Sequence, residues 1–144
     1  MTEEEKRLLF RDLVARLPYT PMVNLRGKAG YDRKLVSVHR YTTRSEFEIV
    51  VNSDDDEDYM PHNFEIDIVK PYLRSMSSMT EEEMLDFHEN GGALTHYLKY
   101  DIDLDSLTVS AIDWLNEHHF DYRGLIGKGL ALEAPDGMYN GKNE

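Results

Sequence analysis

The sequence predicts an α+β fold, with an N-terminal helix, an antiparallel small-barrel-like sheet of four or five strands, and two further helices in the second half. Three observations predict it. Apolar residues recur at helical spacing near the start, they alternate with polar residues between Met22 and Leu73, and the helical spacing returns after residue 80. Short strands joined by short turns are typical of a meander or of a small, SH3-like barrel.

The first helix has a clear beginning and end. Thr2 and Glu5 have the spacing of a capping box, in which each side chain accepts a hydrogen bond from the other's backbone amide. Pro18 cannot continue a helix, so we expect the helix to run to about Arg16. Five apolar residues at spacings of three and four are predicted to form its buried face: Leu9, Phe10, Leu13, Val14 and Leu17.

The strands are predicted from alternation. The stretches "MVNLRG", "LVSVHRYT" and "EFEIVVN" alternate apolar and polar residues and are separated by short polar turns. "FEIDIVKPYLRSM" alternates too, and we expect Pro71 to break it. Residues 93–104, "ALTHYLKYDIDL", are predicted to form one more strand.

Two later helices are predicted from their caps. Thr80 and Glu83 repeat the capping box, and the glycine pair at 91–92 supplies a stop. Ser110 and Asp113 are predicted to open a third helix that runs to His119.

Composition limits the classes of function. The chain of 144 residues has no cysteine, which excludes disulfides and thiol catalysis, and it has no apolar run near the ~20 residues of a membrane span. Its start is acidic rather than signal-like, so we expect a soluble cytoplasmic protein. Residues 1–135 are predicted to form one domain and residues 136–144 a polar tail. A net charge of −12, without a dense basic patch, argues against direct binding to nucleic acid.

Three stretches resemble a known family. "LLFRDLVARLPYTPMV", "VKPYLRSMSSMTEEE" and "IDWLNEHHFDYRGLIGKGLALEAPDGMY" together cover about 60 of the 144 residues. They resemble an uncharacterised family of small proteins encoded by gut bacteria and by their phages and prophages. The family usually has glycine after "RLPY", whereas Thr20 follows here. The resemblance implies a mobile-element origin, and it carries no activity, ligand or site residue.

Acidic stretches are the candidate metal sites. Asp54, Asp56, Asp58 and Glu65 fall at positions 1, 3, 5 and 12 of a calcium loop. Position 6 is Tyr59, where the sharp turn of such a loop requires glycine, so a solvated loop is the preferred interpretation. Three alternate acids later in the chain, Asp101, Asp103 and Asp105, favour a solvated strand edge over a cation site. No metal or cofactor is therefore predicted.

The stretch "IDWLNEHHFDYRG" contains the only tryptophan and two adjacent histidines. Neighbouring helical side chains point about 100° apart, so His118 and His119 cannot share one metal from one turn. We interpret the stretch as a helix end docked on the core, with Trp114 as its anchor. The candidate contact surface consists of Tyr59, His118, His119, Asp121, Tyr122 and Arg123.

Three hypotheses on function follow. The first is a non-catalytic module of phage or mobile-element origin that binds a host or phage protein. The second is an acidic inhibitor that mimics nucleic acid and occupies the basic groove of a host defence enzyme. The third is a small metal-dependent hydrolase, which is disfavoured because no nucleophile or phosphate-loop motif occurs. A mimic requires acids spread over one surface, whereas a hydrolase requires a few convergent acids in a pocket.

Overall fold

The computed structural model describes residues 1–40, 47–52, 62–92 and 107–139. Helices and strands follow one another in the order of an α+β fold, which confirms the predicted class. The elements are α1 (Glu3–Arg16), β1 (Met22–Leu25), β2 (Asp32–Arg40), β3 (Phe47–Asn52), β4 (His62–Glu65), β5 (Val69–Leu73), α2 (Glu81–Glu89), α3 (Val109–Glu117) and β6 (Leu132–Glu133). None of the described helices combines the length and the apolar composition that crossing a bilayer requires.

Helix α1 begins at the predicted capping box. The Glu5 amide donates to the Thr2 hydroxyl at 3.1 Å, and the Thr2 amide donates to the Glu5 carboxylate at 2.8 Å. A short 3₁₀ turn follows the helix, and it ends at Thr20, whose φ of 52° is left-handed. A β-branched residue is strained in that conformation, and glycine is not.

The described strands form one sheet in the order β4-β3-β2-β1-β5-β6, with every pair antiparallel except β5 and β6. Only the turn Ile66–Ile68 links β4 to β5. In a flat sheet these two strands would lie about 19 Å apart, whereas the link spans at most about 14 Å. The sheet must therefore curl.

The prediction of an SH3-like barrel needs correction, because the barrel is not closed. Among the described residues the edge strands β4 and β6 have no pairing with each other. The short β6 lies beyond β5, where it pairs in parallel through Tyr72 and Leu73. A two-residue strand at that edge offers too few backbone groups to join the far edge of the sheet.

Pro71 does not break its strand, contrary to the sequence prediction. It lies inside β5, opposite Val23 of β1. The fixed φ of proline is compatible with an extended chain. Strand β6 pairs with β5 only from Tyr72 onward, so within the described chain Pro71 is not enclosed by two long neighbouring strands.

Helices α2 and α3 form the second half of the described fold. α2 begins at the predicted Thr80–Glu83 capping box. α3 begins earlier than predicted, because Thr108 rather than Ser110 caps it and accepts a hydrogen bond from the Ala111 amide at 3.1 Å. It ends at Glu117 rather than His119, since His119 is left-handed with a φ of 64°. The predicted strand at residues 93–104 lies outside the described residues.

The apolar interior has two clusters. The first lies between α1 and the sheet and includes Leu9, Leu13, Val23, Leu35, Val69, Leu73 and Leu125. The second lies between α2, α3 and the segment after α3 and includes Met79, Phe87, Ala111, Trp114, Leu115, Phe120 and Tyr122. The two clusters meet where α1 approaches α3. The contact between α1 and α3 therefore connects the two apolar clusters.

Trp114 is a core residue, as predicted. It is 5% exposed and stacks on Phe120, with 5.7 Å between the ring centroids. Phe87 packs on it at 5.2 Å, and the indole Nε1 donates to Asp86 at 2.8 Å. The ring therefore fills the second cluster while its one polar atom is hydrogen-bonded.

We predict that native tryptophan fluorescence is shifted to the blue, and that Trp114→Ala lowers the free energy of unfolding by about 3–5 kcal/mol. Trp114→Phe is the control, because it keeps an aromatic ring in the cluster and should lose markedly less. Denaturant melts with fluorescence and circular dichroism measure both effects. Native emission like that of free tryptophan would place the ring in solvent and contradict the assignment.

Candidate functional site

The chain turns sharply after α3, in a segment here named the corner (residues 118–123). The left-handed His119 directs the backbone toward the end of β5. There the Arg74 amide donates to the His119 carbonyl at 2.7 Å, and the Asp121 amide donates to the Arg74 carbonyl at 2.8 Å. Two main-chain hydrogen bonds therefore fix the corner to the sheet.

A buried guanidinium joins α1 to the corner. Arg16 and Asp12 have fully buried side chains, and Nε of Arg16 donates to Oδ2 of Asp12 at 2.7 Å. Nη2 of Arg16 donates to the Phe120 carbonyl at 2.7 Å. Its Nη1 has no hydrogen-bond partner among the described residues. The buried charge of Arg16 is thus paired with Asp12 and hydrogen-bonded through Nε and Nη2, and a buried charge requires such partners.

A second guanidinium completes this network. Nε of Arg123 donates to the other carboxylate oxygen of Asp12 at 3.2 Å. Its Nη2 donates to the Tyr122 hydroxyl at 3.2 Å, and that hydroxyl donates to Asn116 at 2.8 Å. The Tyr122 ring lies beside both cations, at 5.1 Å from the guanidinium carbon of Arg16 and 5.0 Å from that of Arg123.

Asp121 caps the turn that follows the corner. Its two carboxylate oxygens accept hydrogen bonds from the Leu125 amide at 2.8 Å and the Ile126 amide at 2.9 Å. This turn delivers Leu125 into the first apolar cluster. Asp121 therefore stabilises the chain connection rather than presenting a free acid.

His119 stacks on Tyr139, with 3.7 Å between the ring centroids. The Tyr139 hydroxyl accepts from the Met22 amide at 2.9 Å and donates to the Tyr72 carbonyl at 2.8 Å, so this part of the predicted polar tail is anchored on the sheet. Burial, and then the charge of Arg16, lower the pKa of His119 to about 3. Burial raises the pKa of Tyr139. Both rings are therefore neutral at pH 7.

The predicted contact residues differ in how much of their side chains solvent can reach. His119, Asp121 and Tyr122 are only 8–9% exposed, and each takes part in the contacts that hold the corner against the rest of the fold. His118 and Arg123 are partly exposed at the rim of the corner. Tyr59 lies outside the described residues. The corner therefore holds the fold together, and its buried members are not available to a partner.

The candidate metal ligands lie mostly outside the described residues, as Asp54, Asp56 and Asp58 do. Glu65 is exposed at the end of β4. Within the described ranges, no three histidine or acidic side chains are arranged to hold a metal ion. The later acids, Asp101, Asp103 and Asp105, also lie outside the described residues.

A polar cleft of about 230 Å³ lies between residues 74–80 and 133–139. Arg74 lines it, but its guanidinium already donates two hydrogen bonds to Glu83, at 2.7 and 2.8 Å, and lies 4.1 Å from the Phe120 ring centroid. Tyr139 also lines it and uses its hydroxyl on the sheet. The strongest binding groups of this cleft are thus engaged within the protein.

A wider groove of about 540 Å³ runs along the outer side of α1. We name it the α1 groove, and its described lining residues are Arg7, Phe10, Arg11, Val14 and Arg40. Val14 is 46% exposed, which corrects its predicted place on the buried face. Positions 7, 10, 11 and 14 share one helical face. That spacing is the sequence signal that could have revealed the groove.

The charge of the α1 groove is opposite to that of the whole protein. The chain has 28 acidic and 16 basic residues, yet three of the five lining residues are arginines and none is acidic. Arg7 and Arg11 make no hydrogen bond or ion pair with any residue that the structure describes. The groove thus combines exposed apolar surface with two cations, Arg7 and Arg11, that have no partner among the described residues.

Comparison with protein-family models, with curated proteins and with solved structures found no match.

We predict that His119 makes folding sensitive to acid. Its pKa is about 3 in the folded chain and about 6.5 when unfolded, so between these values the unfolded chain binds the extra proton. The free energy of unfolding should therefore fall with decreasing pH below 6.5, by up to about 1.4 kcal/mol per unit. Denaturant melts between pH 7 and 4 measure the slope.

His119→Asn should flatten this slope, because asparagine tolerates the left-handed conformation and does not titrate in this range. His39→Asn, which changes an exposed histidine of β2, should keep the slope of the parent. Parallel pH curves for the parent and His119→Asn would show that the buried imidazole does not control the acid response.

Proposed function

We propose that this chain is a non-catalytic protein-binding module of phage or mobile-element origin, and that its contact surface is the α1 groove. The observation that carries the proposal is the exposure of Val14 on the same helical face as Arg7 and Arg11, two cations without partners in the described chain. The mobile-element origin rests on the sequence resemblance alone.

The composition of the groove favours a protein partner. Arginine is enriched at protein interfaces, where its planar guanidinium binds carboxylates and its stem covers apolar surface. Val14 and Phe10 supply the apolar contact. The exposed Val14 side chain lies beside the two arginines, so a partner that pairs with them could also cover apolar surface.

The support beneath the groove is rigid. The opposite side of α1 buries Leu9 and Leu13 completely, and Arg16 ties the end of the helix to the corner. A surface held in one conformation loses little entropy on binding, which favours affinity. The α1 groove is therefore a preorganised platform.

The buried acids offer less support for catalysis. Asp12 binds two guanidinium groups, and Asp121 binds two backbone amides. Each uses both oxygens in bonds that hold the fold. A hydrolase would instead need such groups to converge on an open pocket.

A nucleic-acid mimic is the second candidate. Asp113 and Glu117 are exposed one turn apart on α3, and after burial their charges raise the pKa of Tyr19. These acids therefore lie near the 3₁₀ turn that follows α1. A mimic would bind a basic partner, whereas the α1 groove fits an acidic one, so the two hypotheses predict opposite effects of added negative charge.

The test is affinity capture from bacterial lysate with two variants of equal charge. Arg7→Glu with Arg11→Glu should lose the proteins that the parent retains, because it reverses the charge of the groove. Lys34→Glu with Lys128→Glu changes the net charge by the same amount at exposed positions elsewhere and should retain them. Quantitative mass spectrometry of the bound fraction, and melts to confirm folding, give the comparison.

Three results would decide the matter. Loss in the groove variant alone supports the α1 groove as the contact surface. Equal or stronger capture by both acidic variants favours the mimic, since added negative charge attracts a basic partner. Equal loss in both variants would show that only net charge matters and would contradict the groove as a specific surface.

A further inference from the structure

We infer that the α1 groove binds an acidic, amphipathic helical segment of a partner protein. The segment would place carboxylates against Arg7 and Arg11 and an apolar side chain against Phe10 and Val14. This inference rests on the proposed function and names the chemistry of its partner.

The spacing of the groove residues matches a helix. Arg7 and Arg11 lie one turn apart on α1, which is about 6 Å along its axis. Two acids four residues apart on a partner helix have the same spacing. Val14 lies one further turn along α1, so an apolar residue one turn beyond the second acid would meet it. Helix-in-groove recognition commonly reads such a pattern.

The chemistry of the groove matches carboxylates. A guanidinium can donate two parallel hydrogen bonds to one carboxylate, and such charge-assisted bonds are stronger than neutral ones. Arg7 and Arg11 make no hydrogen bond or ion pair within the described chain, so binding breaks no contact seen there. Arg40 of β2 also lines the groove.

The charge of the whole chain favours a peptide over nucleic acid or an anionic membrane. An extended polyanion would approach a protein of net charge −12 and would be repelled beyond the groove. Screening limits exposed charges to about 8 Å at physiological ionic strength, so a short segment with few acids feels mainly the local arginines. A small free anion would engage the arginines alone and would leave the exposed Val14 side chain uncovered.

The probe for this inference is a fluorescently labelled, 15-residue helical peptide with glutamates four residues apart and leucine one turn beyond them. A second probe has glutamine in place of each glutamate, and a third has alanine in place of leucine. Fluorescence anisotropy measures the dissociation constant of each. We expect the glutamate–leucine probe to bind at least about tenfold more tightly than either of the others.

The matching variants change the protein. Arg7→Gln with Arg11→Gln should weaken binding of the glutamate–leucine probe by about tenfold or more and should reduce its salt dependence. Val14→Ser should weaken binding without changing the salt dependence. Lys34→Gln with Lys128→Gln, the control of equal charge, should leave the dissociation constant within about twofold. All three exchange exposed side chains, and thermal melts confirm folding.

Several outcomes would overturn the inference. These are equal binding of the glutamate and glutamine probes, or a dissociation constant that does not respond to the arginine variant. Groove-dependent binding of duplex DNA or phosphatidylserine vesicles in place of the peptide would do the same. Self-association of the parent that the arginine variant abolishes would identify a second copy as the occupant.

Failure of the peptide can be distinguished from failure of the proposed function. If lysate capture still depends on Arg7 and Arg11 while the acidic probe does not bind, the groove is a contact surface and the chemistry of the partner is wrong. If neither depends on these arginines, both proposals fall.

Discussion

The buried guanidinium of Arg16 is the interaction on which the arrangement of the described fold depends. It lies where the two apolar clusters meet, and it bonds α1 through Asp12 and the corner through the Phe120 carbonyl. Removing a charge from water costs several kcal/mol, and only close partners offset this cost. Asp12 supplies the counter-charge, and Arg123 satisfies the second carboxylate oxygen. The geometry of the corner follows from this requirement, because the carbonyl of Phe120 must point at the guanidinium.

This constraint also divides α1 into two faces with different purposes. Leu9, Leu13 and Arg16 fix the inner face, so the helix cannot rotate to bury Val14. Arg7 and Arg11 are consequently displayed on the outer face, at a spacing set by the helix itself. Arg16 stabilises the fold, and Arg7 and Arg11 are proposed to contact the partner.

How much the sequence could predict depends on how local each signal is. The capping boxes at Thr2 and Thr80 involve four consecutive residues, and both were predicted correctly. The strand positions between Met22 and Asn52 follow from alternation along short stretches. The open edges of the sheet depend on pairing between distant segments, which no local pattern encodes, so the SH3-like form of the predicted barrel-like sheet needed correction. Pro71 was misplaced for the same reason, since its tolerance depends on which strand lies beside it.

The candidate site was harder to predict because burial reverses the usual interpretation of polar residues. Asp12 and Arg16 share the helical stripe of Leu9 and Leu13, and this was the available signal that an ion pair enters the core. His119, Asp121 and Tyr122 look like a contact surface in the sequence, yet their polar atoms serve the backbone and the ion-pair network. Val14 lies next to Leu13 in the sequence, but about 100° around the helix from it. Trp114 was assigned correctly, because a single large ring among apolar helical neighbours has few alternatives to the core.

A double-mutant cycle between Asp12 and Arg16 tests the central claim most directly. Free energies of unfolding would be measured for the parent, Asp12→Ala, Arg16→Met and the double variant. If the contact between α1 and the corner depends on this ion pair, Arg16→Met alone should lower the free energy of unfolding by about 3–5 kcal/mol, since it leaves a buried carboxylate without its main counter-charge. The double variant should then lose less than the sum of the two single losses, by about 1–3 kcal/mol. Additive losses, or an Arg16→Met variant within about 0.5 kcal/mol of the parent, would contradict the account.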